Sequence, residues 1–156
     1  MSRYTRLERL LIRARSRLTR LRPRQAAKAV GSGALIVDIR PEYQRRADGD
    51  VPGAIVIERN HLEWRLHPNS SARIPEAADV NVRWIIMCDE GFASSLAAVT
   101  LREIGLTRAT DMVGGFQRWR AAGLPVVKRA KPTRPRLVSG DNRLAHRRRS
   151  KLPRSS

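Results

Sequence analysis

Apolar positions along the chain change rhythm twice. Tyr4, Leu7, Leu11, Ala14, Leu18 and Leu21 recur at steps of 3, 4, 3, 4 and 3 with arginine on the other faces, which predicts one amphipathic helix that Pro23 stops. Residues 24–30 read as a second short helix before the Gly31-Ser32-Gly33 break. From Ala34 the helical period gives way to a short continuous apolar run at 34–37 and a second at 54–57, which read as buried strands, and 82–87 and 109–113 read as a third and a fourth strand. Between them, residues 42–47, 61–66, 94–104 and 116–121 read as helical, with Gly105 as the stop after the longest of these. Strands and helices in this alternation predict an α/β fold, a parallel sheet of four to five strands covered by helices on both faces. Beyond Val127 the chain is rich in Pro, Arg and Ser and has too few apolar residues to fold, so it reads as a disordered tail. The domain organisation is therefore a basic helical start at 1–30, one domain at 31–127 and a basic tail at 128–156.

Charge sharpens this division. The chain of 156 residues carries a formal +18, but residues 1–30 hold ten basic and one acidic side chain and residues 128–156 hold eleven and one. The body between them holds eleven and twelve, so the isoelectric point near 11.8 describes two flanks and not the domain. The start is suited to docking on its own domain, to pairing two chains as a homodimer, or to lying on an anionic surface. In the tail, residues 145–151 offer charge without aromatic side chains to stack bases, which supports only nonspecific nucleic-acid contact. A lone cysteine, Cys88, excludes an internal disulfide, and no Cys/His cluster has zinc spacing, so no structural metal site is expected. With no apolar run long enough to cross a bilayer and no signal-peptide pattern, the expected setting is cytoplasmic.

Candidate chemistry concentrates after the third strand. Cys88-Asp89-Glu90-Gly91-Phe92-Ala93-Ser94 is a loop joining a buried parallel strand to the start of a helix. Such positions lie beyond the carboxyl ends of the strands, where a helix N-terminus presents unpaired N–H groups to an anion. A cysteine at the base of that loop can be held there as thiolate, with Gly91 letting the chain curl around the sulfur. The plain alternative is a buried, inert cysteine that ends a strand.

Several further segments complete a pattern. Leu35-Ile36-Val37-Asp38-Ile39-Arg40, Val51-Pro52-Gly53-Ala54, the six-residue loop from Cys88, Gly114-Gly115-Phe116-Gln117-Arg118-Trp119 and Ala122-Gly123-Leu124-Pro125-Val126 follow in an order that resembles a single-domain rhodanese. Leu62-Glu63-Trp64-Arg65 and the residues from Glu90 to Ala98 are more narrowly similar to a bacterial, actinobacterial-type subgroup that shares the N-terminal helix. The resemblance implies a sulfurtransferase that requires no cofactor or metal. Cys88 would attack a sulfane sulfur, hold it as a persulfide in a cradle of N–H groups from Asp89 to Ser94, and pass it to a thiol or other nucleophile. The same fold hosts phosphatases with a longer loop and an arginine six residues after the cysteine; here position 94 is serine, so the bidentate phosphate grip is missing.

Departures from the family pattern bear on the donor. The usual basic residue after the cysteine is replaced by Asp89, Glu90 adds a second carboxylate, Ala93 stands where Arg or Thr is common, and Asp50 replaces a frequent histidine. Two acids beside the sulfur disfavour a dianionic donor, so thiosulfate is expected to be poor and polysulfide or a low-molecular-weight persulfide preferred. Asp38 and Arg40 are second-shell candidates near the loop, or more simply a strand-end pair that fixes the following turn. Glu63 and Arg65 read as surface pairs, His61 and His67 as surface or capping residues, and Trp119 as packing its helix with the indole N–H on a backbone carbonyl. An alternative function keeps the domain as a scaffold and assigns binding of nucleic acid or anionic lipid to the Arg-rich flanks.

Overall fold

The computed structural model describes residues 3–129. Expectations for residues 130–156, their disorder and nucleic-acid contact included, fall outside the described residues. Four parallel strands, β1 (Leu35–Asp38), β2 (Ile55–Val56), β3 (Trp84–Met87) and β4 (Thr110–Asp111), form one sheet in the order β2-β1-β3-β4. The helices are α1 (Arg6–Ser16), α2 (Pro23–Gly31), α3 (Glu42–Asp48), α4 (Leu62–Leu66, after a 3₁₀ turn at Arg59–His61), α5 (Ala93–Glu103) and α6 (Gly115–Ala121). The α/β fold with helices on both faces is as the alternation predicted.

Period-two alternation in the central strands separates two cores. Val37, Trp84 and Ile86 face Leu62 and Leu66 of α4 and Ala97, Ala98 and Leu101 of α5. Ile36, Ile85 and Met87 face the other way, onto Ala26 and Ala29 of α2 and Phe116 and Trp119 of α6. The four residues of β3 are all buried, which suits a central parallel strand covered on both sides. The second run was expected to be buried too, but Val56 is exposed because β2 is the edge and pairs only with β1. Trp119 Nε1 donates to the Pro125 carbonyl at 2.8 Å, the partner expected for its indole.

The start of the chain differs most from expectation. Thr5 and Glu8 form a capping box that begins α1, and the Thr5 N–H holds the Glu8 carboxyl below its usual range. The helix then ends at Ser16, not at Leu21 as the apolar spacing implied. Leu21 instead lies beside Met112, its N–H donating to the Asp111 carbonyl at 3.1 Å while its own carbonyl accepts from Val113 at 2.8 Å. An extended segment here occupies the open edge beyond β4, satisfying backbone groups that a continued helix would leave unpaired. The proline at 23 contributes, since the residue before it avoids helical geometry, and Arg22 is extended at φ −69° and ψ 158°. Of the stripe on α1 only Ala14 is fully buried, packed where α1 lies against α5, while Leu7 stays exposed.

Arg129, grouped with the tail, is tied to the body: Val127 forms an antiparallel bridge with Asp50, and Arg129 Nε donates to the Asp50 carboxylate at 2.8 Å. Glu63 pairs with Arg59 and not with Arg65, whose guanidinium donates to the Ala72 carbonyl. His67 Nδ1 accepts the Asn69 N–H, a capping role.

At the end of β1, Asp38 accepts the Arg40 backbone N–H at 3.0 Å and the guanidinium at 2.8 Å. Arg40 also donates to the Gly49 carbonyl at 2.9 Å, and its guanidinium lies 3.8 Å from the Phe116 ring centroid. Both members of the pair are buried, so removing one leaves the other uncompensated. Asp38→Ala is expected to destabilise the domain by about 3–5 kcal/mol, measured as a loss in the urea midpoint with an unchanged slope.

Candidate functional site

Every strand of a parallel sheet ends on the same side, and here that side carries a cleft of about 530 Å³. Cys88 lies on its floor with 8 % of its surface exposed, and Arg40, Arg59, Asp89, Glu90 and Phe92 are among its walls. Within the loop the Gly91 N–H donates to Cys88 Sγ at 3.1 Å and the Ser94 N–H at 3.4 Å. Ser94 belongs to the first turn of α5, so the sulfur meets the positive end of an eleven-residue helix. Two N–H groups converging on one sulfur form the kind of cradle that favours an anionic sulfur.

Backbone geometry explains why this loop needs its glycines. Gly91 has φ +85°, and a Cβ there would stand 2.7 Å from the Gly114 nitrogen and 3.1 Å from the Met112 carbonyl oxygen. Gly115 has φ +57°, and a Cβ would come within 2.4 Å of the Cys88 carbonyl oxygen. That close approach lets α6 donate its Phe116 N–H to the Cys88 carbonyl at 2.9 Å and its Gln117 N–H to the Asp89 carbonyl at 3.0 Å. With the first two carbonyls turned toward α6, the loop is fixed at its start as well as at its helix.

The sites expected from the sequence are brought together with unequal roles. Asp89 is half-buried and does not face freely into the cleft, since its carboxylate accepts from Gln117 Nε2 at 2.8 Å. Glu90 is exposed on the rim and makes no ion pair or hydrogen bond with the described residues. Phe92 projects outward and Ala93 begins α5, while the Ser94 hydroxyl turns down and donates to Asp111 at 2.8 Å. Arg40 reaches the cleft wall while holding Asp38, so both readings of that pair describe part of its geometry.

Three residues were not anticipated. Asp111, fully buried at the end of β4, accepts Ser94 Oγ and Ser95 Oγ at 2.8 Å each and both Nε and Nη2 of Arg20, at 2.8 and 3.1 Å. Arg20 also donates to the Gly91 carbonyl at 3.0 Å, and Arg15, from α1, donates to the same oxygen at 2.8 Å and to Ser95 Oγ at 3.2 Å. Arg15 lies 5.5 Å from the Phe92 ring centroid as well. Burial pulls the Arg15 pKa below its usual value, aided by Arg20 and opposed by Asp111 and Cys88. A carboxylate inside an apolar buried strand was a readable signal that cations and hydroxyls must meet it. Nothing in the spacing said which ones.

The Rhodanese-like domain family matches residues 22–122, more than half of the chain and the whole of this sheet and loop. This chain belongs to that family. Among curated rhodanese-like relatives, the thiosulfate sulfurtransferase GlpE of Stutzerimonas stutzeri is 34% identical over 101 residues, 65% of this chain and 84% of that protein. GlpE of Haemophilus influenzae is 33% identical over 104 residues, 67% of this chain and 90% of that protein. A solved structure from Rhodopseudomonas palustris, described as a protein of unknown function and possible tyrosine phosphatase, superposes with a TM-score of 0.71 at 30% identity, covering 81% of this chain and 99% of that one. The polysulfide-sulfur transferase homodimer of Wolinella succinogenes shares the fold with a TM-score of 0.61 at 23% identity, covering 82% of this chain and 91% of that one.

The rhodanese-like loop offers a direct test of its geometry. Gly91→Val forces a β-branched side chain into positive φ and against the Gly114 backbone. It is expected to cost at least about 2 kcal/mol in chemical denaturation and to suppress alkylation of Cys88 even in the fraction that remains folded.

Proposed function

We propose that this protein is a sulfurtransferase in which Cys88 carries sulfane sulfur as a persulfide. The observation that supports this reading above all others is the pair of N–H groups, from Gly91 and Ser94, that converge on Cys88 Sγ at the floor of an open cleft. Structural cysteines that merely end a strand have no need of such a cradle. The thiolate attacks the terminal sulfur of a polysulfide or low-molecular-weight persulfide, a sulfur–sulfur bond forms at Cys88, and the donor's own sulfur–sulfur bond breaks to release a thiolate. The terminal sulfur on Cys88, now anionic, sits where the cradle and the start of α5 favour negative charge. An acceptor thiolate then attacks that outer sulfur, takes it as a new persulfide, and returns Cys88 as thiolate. Charge and electrons balance across the two steps without any other reactant.

The exposed carboxylate of Glu90 on the cleft rim favours a donor with one negative charge over dianionic thiosulfate. Of the two acids in the loop, Glu90 is the one free to act, since Asp89 is occupied by Gln117. Phosphate ester hydrolysis is disfavoured because Ser94 stands where the phosphate-gripping arginine would be, and its hydroxyl is committed to Asp111.

Incubation with polysulfide is expected to raise the intact mass by about 32 Da, one sulfur on a reactive thiolate, reversibly under a reductant. Cys88→Ser is expected to show neither the gain nor any turnover while melting at nearly the native temperature; a serine variant that still transferred sulfur would sink the reading. Glu90→Gln is expected to raise kcat/KM for thiosulfate on the order of fivefold at low salt, equivalent to about 1 kcal/mol, and to change use of a singly charged alkyl persulfide less. Thiosulfate and alkyl persulfide kinetics at two ionic strengths measure both effects. Hydrolysis of p-nitrophenyl phosphate is expected to stay at background.

A further inference from the structure

The loop lacks the basic residue that commonly follows the cysteine in this family, yet two cations stand directly behind it. Arg15 and Arg20 both donate to the Gly91 carbonyl, at 2.8 and 3.0 Å, while the N–H of the same residue donates to the sulfur. Asp111 accepts from Arg20 and from two serine hydroxyls, so its single negative charge offsets one of the two arginines. One positive charge beneath the loop is left over. Arg20 is 16% exposed at its side chain and Arg15 is half-buried beside it, so water screens that charge less than it would an open surface cation.

We infer that Arg15, supported by Arg20, is a positioning residue that supplies through the Gly91 peptide the positive field which the acidic loop does not supply to Cys88 itself. The Gly91 carbonyl oxygen is pinned between two guanidinium groups, and because a trans peptide is planar the Phe92 N–H points the other way. Pinning the oxygen therefore fixes the peptide unit that lies between the two cradle donors, the Gly91 and Ser94 N–H groups, and turns its positive end away from the guanidiniums. Stacking of Arg15 near the exposed Phe92 ring fixes the same turn from its side chain. The Coulombic interaction with Cys88 favours the charged form of Arg15, which keeps the guanidinium available to the Gly91 carbonyl. The amphipathic helix α1 thus acts as part of the site, because it delivers Arg15, and the break after Ser16 is what brings Arg20 round to Asp111. This inference rests on reading Cys88 as a thiolate that carries sulfur.

The test uses the full chain and a reaction that needs no sulfur donor. Cys88 is the only cysteine, so its alkylation by anionic iodoacetate and by neutral iodoacetamide can be followed by intact mass. The ratio of the two rates at one pH cancels the thiolate fraction and reports the local potential at the sulfur, and it is compared among variants whose urea midpoints show them folded. Arg15→Met is expected to lower the iodoacetate-to-iodoacetamide ratio about threefold or more at low salt, with the difference shrinking at high salt. Arg15→Lys is expected to restore most of the ratio. Arg15→Gln keeps an N–H donor for the Gly91 carbonyl and is expected to behave like Arg15→Met; it also serves if methionine weakens the packing of α1. A ratio unchanged in the Gln and Met variants would overturn the inference. Failure of sulfur transfer in the native protein with the ratio behaving as stated would count against the sulfurtransferase reading alone.

Discussion

A carboxylate withdrawn from water must be surrounded by donors, and much of the site is arranged by that requirement at Asp111. Its two oxygens collect Arg20, Ser94 and Ser95, which come from the extended segment after α1 and from the first turn of α5. The cost of leaving such a charge unpaired is several kcal/mol, so these elements cannot drift apart without a penalty comparable to a large share of a small domain's stability. The nucleophile's helix is thereby anchored from below, at its first turn, where the sulfur also meets it from above.

Rigid support on one side leaves the other side open. The Cys88 and Asp89 carbonyls are taken by α6, the Gly91 carbonyl by Arg15 and Arg20 and the Phe92 carbonyl by the Ser95 N–H, while the Gly91 and Ser94 N–H groups point to the sulfur. A loop with these carbonyls engaged elsewhere turns donors toward its sulfur, which is a preorganised arrangement for an anion. The two glycines at 91 and 115 permit it because backbone approaches backbone there at distances that a Cβ would block.

Charge is distributed unevenly across this loop. Glu90 is on the rim, Asp89 is turned toward Gln117, Arg40 and Arg59 stand in the cleft wall paired with Asp38 and Glu63, and Arg15 and Arg20 bind the Gly91 carbonyl. A serine at 94 bonded to Asp111 leaves no guanidinium at the start of α5 to clasp a phosphate.

Local pattern was sufficient for the strands and helices of the body, because continuous apolar runs between glycine and proline breaks have few other solutions in a chain of this length. It also located the loop from Cys88 to Ser94 and the turn at Gly91, since a cysteine at the end of a buried strand and a glycine in a tight loop are both written in adjacent residues. The end of α1 was not legible there: the stripe from Tyr4 to Leu21 keeps helical spacing, yet Leu21 is claimed by the edge beside β4 through backbone hydrogen bonds that no side-chain pattern records. The same is true of Arg15 and Arg20. Among ten basic residues in the first thirty, their selection follows from which ones the folded chain carries to Asp111 and to Gly91, residues some seventy to ninety positions away. Sequence by itself determined where an anionic sulfur could be held. Only tertiary structure decided which charges surround it, because electrostatic partners are set by distance in space and the chain that joins them is long.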